Sequence, residues 1–331
     1  RARPPPPYDI FQGNLMTLYR NTLPQLGDAL FVTDGGIETA LIFNQGIELP
    51  DFAAFDLFRR PGGEAALRRY YGAYVRIAAQ FRAGMILESA TWRASADWGR
   101  KLGYSAAQLA DVNRQAIRLL EDIRREHREL SMVISGCVGP RGDGYSPSRV
   151  MSTDEAQGYH REQIAIFSDT AADMVAAITM NYVEEAIGVA RAAQDAGMPV
   201  AISFTVETDG RLPTGQPLRE AIEQVDRATA IYPVYYMLNC AHPEHFQKVL
   251  EKPWARRIRG LRANASRKSH AELNESATLD IGDPAELGAD YAALKRGLLP
   301  NLNVVGGCCG TDHRHVQRIA AACAPLFRIA A

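Results

Sequence analysis

Five cysteines punctuate a chain of 331 residues, and three stand where chemistry is most readily done. Cys308 and Cys309 are adjacent, inside Gly306-Gly307-Cys308-Cys309-Gly310-Thr311, directly after the apolar run Leu302-Asn303-Val304-Val305. In a regular strand neighbouring side chains point to opposite faces, so such a pair could not serve one site. Glycines on both sides lift that restriction, because glycine adopts backbone angles other residues avoid. A distorted strand end can then aim both sulfurs at one point. Cys240 closes a second strand-like run, Val234-Tyr235-Tyr236-Met237-Leu238-Asn239, and offers a third thiolate. Three thiolates with an open fourth position describe a catalytic zinc. The competing readings are cysteines packed as small apolar residues and a strained disulfide between neighbours. The crowding glycines weigh against plain packing.

Other residues near these ends have competing roles. His242 and His245 follow Cys240 closely, but at a helix start with a cysteine pair available elsewhere they read as capping or surface residues. Asp34 either caps the segment after its strand or, at the active end of a barrel, binds substrate. Glu88 is costly to bury unpaired, so it sits in the site or meets an arginine such as Arg93 or Arg100. Trp92, Trp98, Tyr104 and Tyr145 lie in loops where aromatic faces can meet an onium group. Cys137 and Cys323 read as core or loop thiols. The basic run Arg256-Arg257-Ile258-Arg259 lacks interleaved aromatics and reads as a solvated lead into a strand.

Bringing distant sulfurs together requires a scaffold, and the chain supplies a regular one. Strand-like runs recur at 29–33, 85–88, 132–135, 173–178, 200–205, 235–240, 258–264 and 302–305. Helical patterns separate most of them, near 63–82, 106–129, 184–196, 217–230 and 284–297, with further starts at Ser152 and His242. Few signals mark 265–282. Strict alternation gives a parallel sheet, and eight units close a (β/α)8 TIM barrel. The alternative, an open doubly wound sheet, lacks a Gly-x-Gly-x-x-Gly turn in its first unit. Residues 28–331 are predicted to form a single barrel domain. Residues 1–27 precede it as an extension, with an extended arm at the four prolines 4–7 and a helical lead-in at 8–27 that covers one end. In such barrels chemistry sits at the C-terminal strand ends. Asp34, Glu88, Thr179, Cys240, Asn264, Cys308 and Cys309 all fall there.

Composition narrows the partners. Hydrophobic content of 47% and charge of 23% are ordinary for a globular protein. A formal net charge of −1 offers no electrostatic reason to expect nucleic acid or an anionic membrane. No apolar run has the length of a membrane span, and Arg1-Ala2-Arg3 followed by prolines is no signal peptide. Scattered cysteines fit a reducing compartment, so the cytoplasm is expected.

Together these residues resemble the homocysteine S-methyltransferase family. The matching pieces are Thr33-Asp34-Gly35-Gly36, Ser203-Phe204-Thr205-Val206 with Thr214-Gly215, Asn239-Cys240-Ala241-His242-Pro243-Glu244, and the Gly-Gly-Cys-Cys-Gly-Thr block. The resemblance implies a zinc-dependent barrel with Cys240, Cys308 and Cys309 as metal ligands. It assigns Asp34 to the acceptor's amino group, and extends the substrate-binding set to Gly35, Glu88, Thr179 and Asn239. The implied reaction moves a methyl group from a small onium donor (S-methylmethionine, S-adenosylmethionine or a betaine) to a thiol, most naturally homocysteine giving methionine. Zinc as Lewis acid would lower the thiol's pKa, and the thiolate is the nucleophile.

Two departures stand out. Where the family's fourth strand commonly ends in Glu-Thr, this chain reads Ile178-Thr179, and the seventh strand end reads Arg262-Ala263-Asn264-Ala265-Ser266. Two explanations stay open: Glu88 replaces the lost charge, or the natural thiol has no amino group there; separately, the rival functions are a zinc hydrolase with Glu88 as base and a thiol- or metal-binding protein without turnover.

Overall fold

The computed structural model of the chain describes residues 17–147, 149–251, 253–274 and 278–327. The proline run at 4–7 and the first part of the 8–27 lead-in lie outside them. Eight parallel strands close in chain order: β1 (Phe31–Val32), β2 (Gly84–Glu88), β3 (Met132–Val138), β4 (Met174–Met180), β5 (Val200–Phe204), β6 (Tyr235–Asn239), β7 (Ile258–Ala263) and β8 (Val304–Gly307). The ring closes where Phe31 pairs with Val304 and Val32 with Val305. The chain is a (β/α)8 barrel.

Around it run α1 (Gly63–Phe81), α2 (Ala96–Lys101), α3 (Ala106–Glu126), α4 (Thr153–Ser168), α5 (Val183–Asp195), α6 (Leu218–Ala228), α7 (Pro243–Phe246), α8 (His270–Asn274), α9 (Pro284–Arg296) and α10 (His313–Cys323). Local chemistry explains several starts. Ser105 with Gln108, and Ser152 with Glu155, form reciprocal capping boxes that satisfy otherwise orphaned N–H groups. Among the described residues no helix is long and apolar enough to cross a membrane.

Four expectations need correction. The described part of the lead-in holds one 3-10 turn, Pro24–Leu26, instead of a helix; Pro24 and Gly27 bracket it too closely for more. The helix expected from His242 lasts only through α7 before a 3-10 turn at Gln247–Val249. Helices α2, α8 and α10 were not anticipated; α10 starts where Asp312 accepts from the Arg314 N–H. Finally, β8 runs through Gly306 and Gly307 instead of stopping at 305. A Cβ at Gly306 would collide with the Thr33 side chain, and one at Gly307 with that of Thr311. These glycines let the strand continue against its neighbours where another residue would not fit.

The barrel interior changes character along the strands. Its lower layer is apolar, with Phe31, Ile86, Val133, Met174, Tyr235 and Val304 packed together and Leu23 closing them from below. Further along, inward-facing positions of the same strands carry Thr33, Glu88, Ser135, Ser203, Asn239 and Arg262, all buried. The lead-in is fixed beneath the lower layer. Asn303 donates to the carbonyls of Gln25, Gly27 and Ala29, and Arg20 donates to those of Ser168, Thr170 and Ala172. The N-terminal face is thus capped, and the polar layer opens at the other end.

Candidate metal and substrate site

The three cysteines meet at that polar end. Their sulfurs lie within 4.8 Å of one another, and Cys240 Sγ is 4.0 Å from Cys309 Sγ. A tetrahedral zinc with ~2.3 Å bonds to sulfur sets its ligands roughly 3.8 Å apart, so a small inward shift of the sulfurs suits the ion. All five cysteines are unbridged.

Each sulfur is aimed by backbone contacts. Cys240 has φ +54°, a left-handed conformation unusual for a side chain other than glycine's, and it turns the chain sharply as β6 ends. Its carbonyl accepts from Asn264 Nδ2 at 3.0 Å and from His270 Nε2 at 2.5 Å. His270 is held in turn by Glu207 at 3.2 Å. The Cys308 N–H donates to Ala263 on the adjacent strand, and its carbonyl accepts from Thr311 Oγ1 at 2.7 Å. Gly36 lies against this turn: a Cβ there would stand 2.5 Å from the Cys308 carbonyl oxygen.

Asn239 braces the whole cluster. Its Oδ1 accepts from Ser203 Oγ at 2.6 Å and from the Thr179 N–H at 3.0 Å, while Nδ2 donates to Thr179 Oγ1 at 2.8 Å. Nδ2 also approaches Cys308 Sγ at 4.0 Å. Thr179, at φ +68° in an irregular part of β4, lies 3.9 Å from Cys240 Sγ through its hydroxyl. Tyr145 completes the surroundings, with its hydroxyl 3.4 Å from Cys309 Sγ and its ring 4.1 Å from that of His270.

The thiols share their protons unequally. Cys308 and Cys309 donate to Cys240 and hold its pKa well below the ordinary thiol value. The same hydrogen bonds to Cys240 push Cys308 up to about 12 and Cys309 upward as well. One thiolate forms easily and the others resist, as expected where like charges converge and a cation would relieve them.

Beside the sulfurs a pocket of about 360 Å³ carries the charged residues. Asp34 and Glu88 both line it, as does Gly35. Asp34 does not act as a cap: it pairs with Arg262 at 2.6 Å and accepts from Tyr70 Oη at 2.8 Å. The Gly35 carbonyl also accepts from Tyr70 and Arg262. Burial pushes Glu88 up to about 8, partly offset by Arg262. Glu88 Oε2 is buried with no hydrogen-bond partner. Neither Arg93 nor Arg100 pairs with it; the charges that act on it are Arg262, from across the barrel, and Asp34, which opposes its ionisation. For Arg262, burial works against the cation, yet Asp34 and Glu88 together hold its pKa above the ordinary value.

Ile178 lines the same pocket, packed with Cys137 and Ala176 and flanked by Trp92. Trp92 and Tyr145 line the pocket, whereas Tyr104 is buried against Phe55 and bonded to Asp56. His242 caps α7, accepting from the Glu244 N–H. Glu38, Arg93 and Arg262 are among the pocket residues that escaped the sequence reading as site residues. Arg262 did leave a trace, since Gly260 and Arg262 alternate with Leu261 and Ala263, and the period of two puts the arginine on the inner face.

The chain is thus an eight-stranded parallel barrel with three thiols converging at its C-terminal end. The homocysteine S-methyltransferase family model matches residues 31–323, and the chain belongs to that family. The homocysteine S-methyltransferase YbgG of Bacillus subtilis (strain 168) is 25% identical over 201 residues, 57% of this chain and 61% of that protein. The aligned stretch thus spans less than two thirds of the Bacillus protein. Homocysteine S-methyltransferase 1 of Arabidopsis thaliana is 22% identical over 242 residues, 67% of this chain and 71% of its own. The metallated form of the homocysteine methyltransferase MmuM from Escherichia coli superposes with a TM-score of 0.68 at 20% identity, covering 91% of this chain and 98% of that one. That likeness is one of fold.

Proposed function

We propose that this chain is a zinc-dependent S-methyltransferase that moves a methyl group from a small onium donor to a thiol, with homocysteine the leading acceptor and methionine its product. The observation that carries this is the trio Cys240, Cys308 and Cys309 at ion-binding spacing beside a charged pocket. Family membership and the names of the relatives support the same reading.

These three cysteines would hold the zinc, and Tyr145 and Thr179 border it. When bound, the ion supplies Lewis acidity that lowers the pKa of an acceptor thiol and fixes its sulfur. The chain's own residues do the rest. Asn239 keeps Thr179 and the cysteine ends in register. Glu88, with an unpartnered buried oxygen, is available to an ammonium group of the acceptor. Once the acceptor thiol has lost its proton to solvent, its sulfur lone pair forms the new S–CH3 bond. The donor's bond to that methyl breaks and returns its electron pair to the donor heteroatom, which becomes neutral. No general acid is needed for departure.

A second reading has a specific observation behind it. Asp34 is already neutralised by Arg262, and Ile178 presents an apolar wall. An acceptor without an amino group would suit that arrangement, and Glu88 alone opposes it. A cytoplasmic enzyme agrees with the scattered cysteines, and a net charge of −1 gives no electrostatic reason for nucleic acid or membrane partners.

The test is a donor panel assayed with homocysteine: S-methylmethionine, S-adenosylmethionine, glycine betaine and methylcobalamin. Methyl transfer from at least one small onium compound is expected. Dependence on methylcobalamin alone would refute the onium donor. Hydrolysis of esters or amides without methyl transfer would reassign the site to a hydrolase.

A further inference from the structure

The histidine that lines the pocket is occupied at both ring nitrogens. His270, the first residue of α8, places Nε2 2.5 Å from the Cys240 carbonyl oxygen and Nδ1 3.2 Å from the Glu207 carboxylate. A carbonyl oxygen only accepts, so Nε2 carries the proton of that bond. Neither nitrogen is left to exchange a proton with a substrate. One face of the ring is covered too, by Tyr145 at 4.1 Å between centroids. A histidine placed in this way holds other groups still, and what it holds is the sulfur trio.

Two of the three sulfurs depend on it. Cys240 keeps a left-handed backbone at φ +54°, which a residue with a side chain adopts only where its surroundings impose it. Its carbonyl has two acceptor positions, and Asn264 Nδ2 and His270 Nε2 fill both. Asn264 follows β7 directly, whereas His270 reaches back from α8 and is braced by Glu207 beyond β5. Towards Cys309 the link is Tyr145, whose ring packs on His270 while its hydroxyl lies 3.4 Å from Cys309 Sγ. The same hydroxyl shares a hydrogen bond with Cys240. The loops after β3, β5 and β6 thus meet on one imidazole supplied from beyond β7. Without it, Cys240 would be free to relax toward ordinary backbone angles and carry its sulfur out of the trio.

We propose that His270 is a positioning residue for the metal: by fixing the Cys240 carbonyl, with Glu207 behind it, it sets the spacing of the three sulfurs and hence the affinity for zinc. This rests on the zinc reading of the trio and adds what holds the trio ready for the ion. Metal ligands are commonly oriented by hydrogen bonds from residues that never touch the ion, and removing such support weakens binding by about tenfold to hundredfold. The left-handed turn makes Cys240 the ligand that loses most.

The test measures zinc affinity by chelator competition in the parent, His270→Leu, His270→Gln and Glu207→Ala, with absorption spectra of the cobalt-substituted proteins. His270→Leu should bind zinc about tenfold to hundredfold more weakly and shift the sulfur-to-cobalt bands. His270→Gln, whose amide can still donate to the carbonyl, should recover a large part of both. Glu207→Ala leaves the imidazole unbraced and should lie between the parent and His270→Leu; it decides the matter where His270→Leu fails to fold by circular dichroism. A purely structural role would lower the melting point of metal-free protein and leave zinc affinity and cobalt bands as in the parent. That outcome overturns the proposal. So do equal losses in His270→Leu and His270→Gln, or parent-like zinc affinity in Glu207→Ala. Metal binding needs no turnover, so tight zinc without methyl transfer would count against the reaction while the affinity series still tests His270.

Discussion

Asp34 at the end of β1 and Arg262 on β7 form a 2.6 Å ion pair inside the barrel, both almost wholly shielded from solvent. Breaking such a pair leaves one uncompensated buried charge and costs roughly 3–5 kcal/mol. Arg262→Met should therefore destabilise the protein by about that much in urea unfolding. Removing both partners, in Asp34→Asn with Arg262→Met, should recover a large part of the loss. If the single variant proved as stable as the parent, the pair would contribute nothing to the scaffold of the site.

Glu88 gives a pH signature. Its pKa in the folded chain is raised from 4.5 to about 8, so between those values the folded state holds a proton that the unfolded state has lost. The protonated form's advantage is complete below 4.5 and is lost as pH rises through about 8. Stability of the parent relative to Glu88→Gln should fall across that window. Paired denaturation curves at several pH values would check this, and a flat difference would show that Glu88 is ionised throughout.

Acceptor choice separates two readings of the pocket. If Glu88 receives an ammonium group, homocysteine should outperform 4-mercaptobutanoate, its amine-free counterpart, by roughly tenfold to a hundredfold in kcat/KM. Glu88→Gln should erase that advantage while Ile178→Glu leaves it in place. Preference for the amine-free thiol would remove homocysteine as the natural acceptor and leave the thiol chemistry intact.

Gly36 tests how the metal ligands are aimed. A Cβ at this position would meet the Cys308 carbonyl at 2.5 Å and Thr39 Oγ1 at 2.9 Å, closer than such contacts tolerate. Gly36→Ala should keep the barrel, judged by circular dichroism, but bind zinc about tenfold or more weakly by displacing Cys308, the size of effect seen when residues supporting metal ligands are altered. Unchanged zinc affinity would show that the turn adapts.

The barrel was legible because each strand is a compact apolar run, and the strand ends are marked by residues that regular strands avoid, such as the Gly-Gly-Cys-Cys-Gly block. The sulfur trio was legible for the same reason. Arg262 was not, because an arginine within the least apolar strand reads as weak strand character until the partner across the barrel is known. For Glu88 the sequence offers either a place in the site or the nearby Arg93 and Arg100, whereas the arginine that acts on it arrives from β7. Arg93 shows the converse: its nearest contacts, Trp92 and Trp98, are local, but its lack of a hydrogen-bond partner emerges only from the packed loops. The length of α7 depended on Pro243 and on the turn that follows, which periodicity alone does not register.

The most direct measurement determines metal content and methyl transfer on one preparation. The parent should carry about one zinc per chain, lose turnover on chelation and regain it when zinc is returned. Cys308→Ala and Cys309→Ala should lose both metal and turnover. Full methyl transfer to homocysteine by thoroughly metal-free protein, or by either cysteine variant, would contradict the assignment of this thiol trio as the reaction centre.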